Sequence, residues 1–226
     1  MKFERYAYLI FAILSITVSV VNLGGNYIIH FIDIYWPVNA PSSLYFTENF
    51  FSAWSTENMG GYNILNIFNL APYATIAALY LLGVPTYLQE IFLLSLMDFL
   101  SMSFYFRIMK EYLLNNENEK HILISFFSSI ILTFNYSMII VIWWDSIPNG
   151  FFLIGFGPMF IYYLLRFSKS FLVQGKFDLL SASFLFLASA LSFSVNIPFN
   201  MSLIFITLVF VLYSVLFFRS AFRTAA

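Results

Sequence analysis

Cysteine is absent from the 226 residues. Disulfides, thiol catalysis and thiolate metal sites are thereby excluded. Charge is scarce as well: 9% of the residues are Asp, Glu, Lys or Arg, against about 25% in an ordinary soluble domain. The formal net charge is −1, which leaves no electrostatic footprint for DNA or RNA. No internal repeat, low-complexity tract or heptad run breaks the chain into parts. What is abundant is apolar: 61% of residues are hydrophobic, 22% are aromatic, and the mean hydropathy is +0.85. That balance excludes a soluble globular enzyme and a disordered chain. It indicates an all-α polytopic membrane protein, residues 1–226 forming one membrane domain.

Apolar runs and their flanks predict six spans, at about 6–23, 86–107, 121–143, 150–166, 178–195 and 200–218. A long segment, about 24–85, separates the first two. All ten basic residues then fall on one side. Lys2 and Arg5 precede the first span; Arg107, Lys110 and Lys120 join the second to the third. Arg166, Lys169 and Lys176 join the fourth to the fifth, and Arg219 and Arg223 follow the sixth. By the positive-inside rule both termini are cytoplasmic and the long loop is outside the cell membrane. Trp36, Trp54, Trp143 and Trp144 all fall on the outer side, where amphipathic rings anchor at headgroup level. That side also carries Asp33, Glu48, Glu57, Glu90 and Asp145.

Two segments test this count. A signal peptide is the alternative for the first span, but no Ala-x-Ala cleavage site follows it. Segment 71–83, APYATIAALYLLG, would as a seventh span put Arg107 and Lys110 outside. Its 13 residues make only about 20 Å of helix, against a hydrocarbon core of about 30 Å. It is expected to lie along the outer interface or to re-enter it, with Gly83 and Pro85 turning the chain into the second span.

The long loop is rich in aromatic residues. Over 43–54, SLYFTENFFSAW, helical spacing puts Phe46, Phe50, Ala53 and Trp54 on one face and Glu48 opposite. Such a helix lies on a membrane surface. Gly60 and Gly61 follow in NMGGYN. Asp33 stands shortly after the first span among Ile, Phe, Tyr and Trp. Partial desolvation there raises the basicity of a carboxylate, which suits a general base. The plainer alternative is an interfacial Asp that caps a short helix.

The order of these residues resembles the N-terminal membrane module of polytopic GT-C glycosyltransferases, nearest to the arabinofuranosyltransferase-like group. It runs from Asp33 through Trp36-Pro37, Pro41, Trp54 and Gly60-Gly61 to the LAPY helix and the LLGVP turn, within about residues 20–110. The resemblance implies an enzyme that takes a sugar from a polyprenyl-phosphate donor and passes it to an acceptor on the outer side. It implies Asp33 as the base that removes the acceptor's hydroxyl proton. Trp36, Trp54, Gly60 and Gly61 would shape the donor or acceptor cavity, with Asp145 and His30 as further lining residues. Members of this superfamily usually carry more spans, so a further C-terminal part or a larger membrane partner is expected beside membrane lipids and the lipid-linked donor. Departure of a lipid phosphate calls for a nearby cation, and on the outer side only His30 can supply one. A divalent metal held by Asp33, Glu48 and Glu57 is one alternative; an Arg from outside this chain is the other.

Asp98 lies near the middle of the second span, in a partly polar stripe with Ser95, Ser101, Met102 and Tyr105. An intramembrane carboxyl is a functional candidate by default. Its structural alternative is a protonated Asp98 bonded to a neighbouring helix, for which Asn135 is the candidate partner. Ser181, Ser189 and Ser192 share a face with Ala182 and Ala188 nearby, which predicts close helix packing. Two other functions compete with sugar transfer. One is a non-enzymatic membrane subunit that docks a partner through the outer loop. The other is a small transporter, which the lack of an internal repeat disfavours.

Overall fold

The computed structural model describes residues 2–23, 70–114, 118–135 and 148–192. Six α-helices organise them: α1 Lys2–Leu23, α2 Leu70–Leu81, α3 Thr86–Ile108, α4 Glu119–Thr133, α5 Pro148–Ser168 and α6 Leu179–Ser192. Single π turns, Met109–Leu113 and Lys169–Val173, extend α3 and α5. Among the described residues there is no strand, as the composition predicts.

Helix directions follow from a few contacts. Glu4 of α1 pairs with Lys110 at 2.8 Å and Tyr8 accepts from Arg107 at 3.2 Å, so α1 and α3 run antiparallel. Ile122 and Phe126 of α4 pack with Met102 and Phe106, and Thr133 reaches back to Ser101, so α4 is antiparallel to α3. Met97 lies beside Gly155 and Phe104 beside Tyr162, so α5 runs parallel to α3. Tyr163 stacks on Phe184 at 4.9 Å while Arg166 meets Asp178 at 3.5 Å, which sets α6 antiparallel to α5. Successive long helices therefore alternate in direction, and Arg107, Lys110, Arg166 and Lys169 come together at one end of the bundle.

The α3 helix is the centre. On one side Ala7, Phe11, Met102, Phe106, Ile122 and Phe126 fill the space between α1, α3 and α4. On the other, Phe104, Ile108, Met159, Tyr162, Tyr163 and Ala188 join α3, α5 and α6. Ala188 and Ser181 are fully buried, so the small-residue face of α6 does pack inward. Large apolar side chains remain exposed on the outside, among them Val21, Phe127, Ile131 and Phe186.

Two expected boundaries change. The expected span 121–143 does not continue as one helix: α4 ends at Thr133, where Phe134 turns to φ −99° and ψ 20°. The Phe134 N–H still bonds to the Ile130 carbonyl, but the run Thr-Phe-Asn has little helix propensity to carry the turn on. Span 150–166 is longer than expected, because the π turn after Ser168 carries it to Val173. By length and composition, one helix among the described residues, Tyr87–Leu113, is sufficient to cross a membrane. Shorter apolar stretches occur at Tyr6–Val21 and Leu179–Leu191. The expected sixth span, 200–218, and the segment 24–69 lie outside the described residues.

Segment 71–83 becomes α2 and the turn after it. The helix has 12 residues, about 18 Å at 1.5 Å per residue. Ile76 and Ala77 are buried, Ile76 in a cluster with Leu93, Leu94, Met97 and Ile154. The turn closes with Gly83 at φ 75°, its N–H on the Tyr80 carbonyl and that of Val84 on the Leu79 carbonyl. This is a Schellman ending, which needs a left-handed residue at that position. Pro85 then starts α3, and the buried Gln89 donates its side-chain amide to the Val84 carbonyl at 2.7 Å.

Candidate functional site

Asp33, His30, Trp36, Glu48, Trp54, Glu57, Gly60, Gly61 and Asp145 all lie outside the described residues. The part of the resemblance that is described is its end: the LAPY helix, the glycine turn and the start of α3. Among the described residues no three Asp, Glu or His side chains gather as a metal site.

The described helices bring together a different set of polar groups. Buried stripes at three- and four-residue spacing run along each helix of the α1–α3–α4 interface. On α1 the stripe is Ala7, Phe11, Ser15 and Ser19; on α3 it includes Phe106, Met102, Asp98 and Ser95; on α4 it is Ile122, Phe126, Ser129 and Thr133. The antiparallel register puts Phe11, Phe106 and Phe126 together and Thr133 beside Ser101. The half near the basic end is aromatic and aliphatic. The other half, on all three helices, turns to Ser, Thr and Asp.

Several of these groups are satisfied locally. Ser15 Oγ donates to the Ala12 carbonyl at 3.0 Å, and Ser129 Oγ to the Phe126 carbonyl at 2.7 Å. Thr133 Oγ1 donates to Ser101 Oγ across the α3–α4 contact at 3.0 Å. Three are not: Ser19 Oγ, Ser95 Oγ and Asp98 Oδ1 are buried and have no hydrogen-bond partner among the described residues. Asp98 itself is 1% exposed. It sits about 14 Å along the axis from Arg107 and about 18 Å from Thr86, which is mid-helix. Beside it, Ser15 and Ser95 line a groove of about 210 Å³ between α1 and α3, walled by Ala12, Ile16, Phe92, Leu96 and Phe99.

The burial of Ser95, Asp98, Ser101 and Met102 agrees with the polar stripe expected on the second span. Among the described residues, Asp98 Oδ1 makes no hydrogen bond. Ser15 and Ser19 carry no motif. Their signal is their spacing from Ala7 and Phe11, which puts hydroxyls on the same face as buried apolar residues.

The cross-helix bond gives a direct check on this interface. Thr133→Val keeps the shape but removes the donor to Ser101. It is expected to cost about 1 kcal/mol, read as a melting-temperature drop of roughly 2–4 °C. An unchanged melting temperature would show that the bond contributes nothing.

The basic end forms the second cluster. Tyr162 Oη donates to Glu111 at 3.1 Å, and Tyr112 meets Tyr162 edge-on. Asp178 accepts from the N–H and hydroxyl of Ser181, at 3.1 and 2.6 Å, and so caps α6 while it faces Arg166.

No family model matches this chain, and no curated protein or solved structure is similar to it.

Proposed function

We propose that this chain is a six-span, GT-C-like glycosyl-transfer module of the cell membrane, with both termini cytoplasmic and the long loop outside. Its donor is a polyprenyl-phosphate sugar and its acceptor is a hydroxyl on the outer side. Asp33 takes the acceptor's proton as the acceptor oxygen attacks the anomeric carbon. The bond from that carbon to the phosphate oxygen breaks, and polyprenyl phosphate leaves with the electron pair. A lipid-linked donor enters sideways from the bilayer, so a base at the interface is where the chemistry needs it.

The observation that carries the reading is the order from Asp33 through Trp54 and Gly60-Gly61 to the LAPY helix and LLGVP turn. Its described end supports it. The α2 helix is too short to cross a bilayer of about 30 Å, and a glycine turn feeds the chain from it into the one helix among the described residues that is long enough. Apolar side chains on the outside of α1, α4 and α6 support the membrane placement. The test is sugar transfer from the lipid-linked donor by membranes carrying this chain, compared with an Asp33 variant.

A second reading, a non-enzymatic subunit that docks a partner through the outer loop, is favoured by one fact. No Lys or Arg falls on the side assigned to the loop, so the leaving phosphate finds no strong cation there. A metal on Asp33, Glu48 and Glu57, or an Arg of a partner, would supply it. Co-purification with a larger membrane protein, and no transfer in its presence, would favour the subunit.

A further inference from the structure

At the basic end of the bundle two cations are matched by carboxylates. Lys110 is paired with Glu4 at 2.8 Å, and Arg166 with Asp178 at 3.5 Å. Glu111 accepts from Tyr162. Arg107 is different. Its Nε donates to Tyr8 Oη at 3.2 Å, and its guanidinium lies 5.9, 6.0 and 5.7 Å from the ring centres of Tyr8, Phe104 and Tyr162. The polar groups that bear on it are the phenols of Tyr8 and Tyr162, and among the described residues no carboxylate lies within ion-pair distance. Lys169 sits in the same way over Tyr112, 5.8 Å from its centre, and Tyr112 contacts Tyr162.

A guanidinium held against aromatic faces is oriented but not neutralised. The N–H groups that Tyr8 and Tyr162 do not engage are left to donate, and the planar shape of a guanidinium matches a phosphate. The surroundings select the kind of phosphate. Leu113, Phe171 and Phe177 are large apolar side chains left exposed at this end, at 66%, 53% and 64%. Phe167 stacks on Phe171 and meets Phe177 edge-on, so the rim beside Lys169 is aromatic. Apolar rim and unpaired cation together suit a molecule with hydrocarbon chains and an anionic head. Basic pockets between helices at a membrane surface bind such heads.

We propose that Arg107, framed by Tyr8, Phe104 and Tyr162, anchors the phosphate of an anionic lipid headgroup at this end of the bundle, with Lys169 as the flanking cation. This site is at the end of the bundle opposite Leu23, the last residue of α1. It depends on this end lying at a membrane surface and does not depend on sugar transfer.

The test uses the full chain purified in detergent, with thermal stability and native mass spectrometry as readouts. Phosphatidylglycerol, phosphatidylcholine and inorganic phosphate are added separately at equal concentration. Saturating phosphatidylglycerol should raise the melting temperature by about 5 °C or more, and the protein should retain the lipid in the gas phase. Phosphatidylcholine and inorganic phosphate should do neither. Arg107→Gln should abolish most of the shift. Arg107→Lys, which keeps a point charge without the fork, should weaken binding about tenfold. Lys169→Gln should weaken it more than Lys120→Gln, whose charge is exposed on another helix. If Arg107→Gln does not fold, Arg107→Lys and Lys169→Gln decide the matter. Equal shifts with phosphatidylcholine, a shift reproduced by inorganic phosphate, or Lys120→Gln as damaging as Lys169→Gln would each overturn the site.

Discussion

Asp33→Asn should lower sugar transfer by about 10²–10⁴-fold, the usual contribution of a positioned general base. Asn preserves the size and hydrogen bonding of the side chain but cannot accept the proton. A hydroxyl acceptor is a poor nucleophile without that step, and no other outer carboxylate stands in the same sequence context just after the first span. The measurement is turnover of a polyprenyl-phosphate-linked sugar in membranes in which the variant replaces the wild-type chain. Loss of turnover with unchanged donor binding is the signature of a base. Unchanged turnover would remove Asp33 from the mechanism. No transfer by either protein, together with stable capture of a larger membrane protein, would favour the subunit reading.

Gly155→Val should destabilise the contact between α3 and α5. A Cβ at this position would lie 2.5 Å from Met97 Sδ, 3.1 Å from Met97 Cα and 3.3 Å from its carbonyl oxygen. The sulfur is the end of a flexible side chain and can move. The Cα and carbonyl belong to α3 and cannot, so α3 and α5 must separate. Ile76, Leu93, Leu94, Met97 and Ile154 form one buried cluster across this contact, and separation opens it. Overpacking of this kind costs about 1–3 kcal/mol. At roughly 2–4 °C per kcal/mol for a chain of this size, the melting temperature in detergent should fall by about 2–12 °C. Gly155→Ala should fall between wild type and Val. A Val variant as stable as wild type would mean that the two helices do not meet here.

The bundle was legible in the sequence wherever a helix is apolar throughout and ends in charge. Lys110 and Arg107 mark the end of α3, and they contact the first turns of α1, as alternating spans require. The Gly83–Pro85 turn was legible because two residue types with strong backbone demands stand together. The end of α4 was not. Hydropathy continues past Thr133, and nothing in an apolar average registers that Phe134 leaves the helix. The inward face of Asp98 was legible from its neighbours Ser95, Ser101 and Met102. Its unpaired Oδ1 was not, because pairing depends on the register between helices. Arg107 shows the same limit. In the sequence it is one of ten basic residues, all assigned to the same side. Only packing shows that Lys110 and Arg166 have acidic partners while Arg107 has aromatic ones.

Membrane topology underlies both the proposed catalytic role of the long loop and the proposed lipid site, and the chain is well suited to a direct measurement of it. With no cysteine in the sequence, single cysteines can be placed at Ser43, in the long loop, and at Gln174, exposed beyond the end of α5. A membrane-impermeant maleimide applied to intact cells should label Ser43→Cys at once and Gln174→Cys only after the membrane is opened. Labelling of Gln174→Cys in intact cells, or of both positions from the same side, would contradict the account.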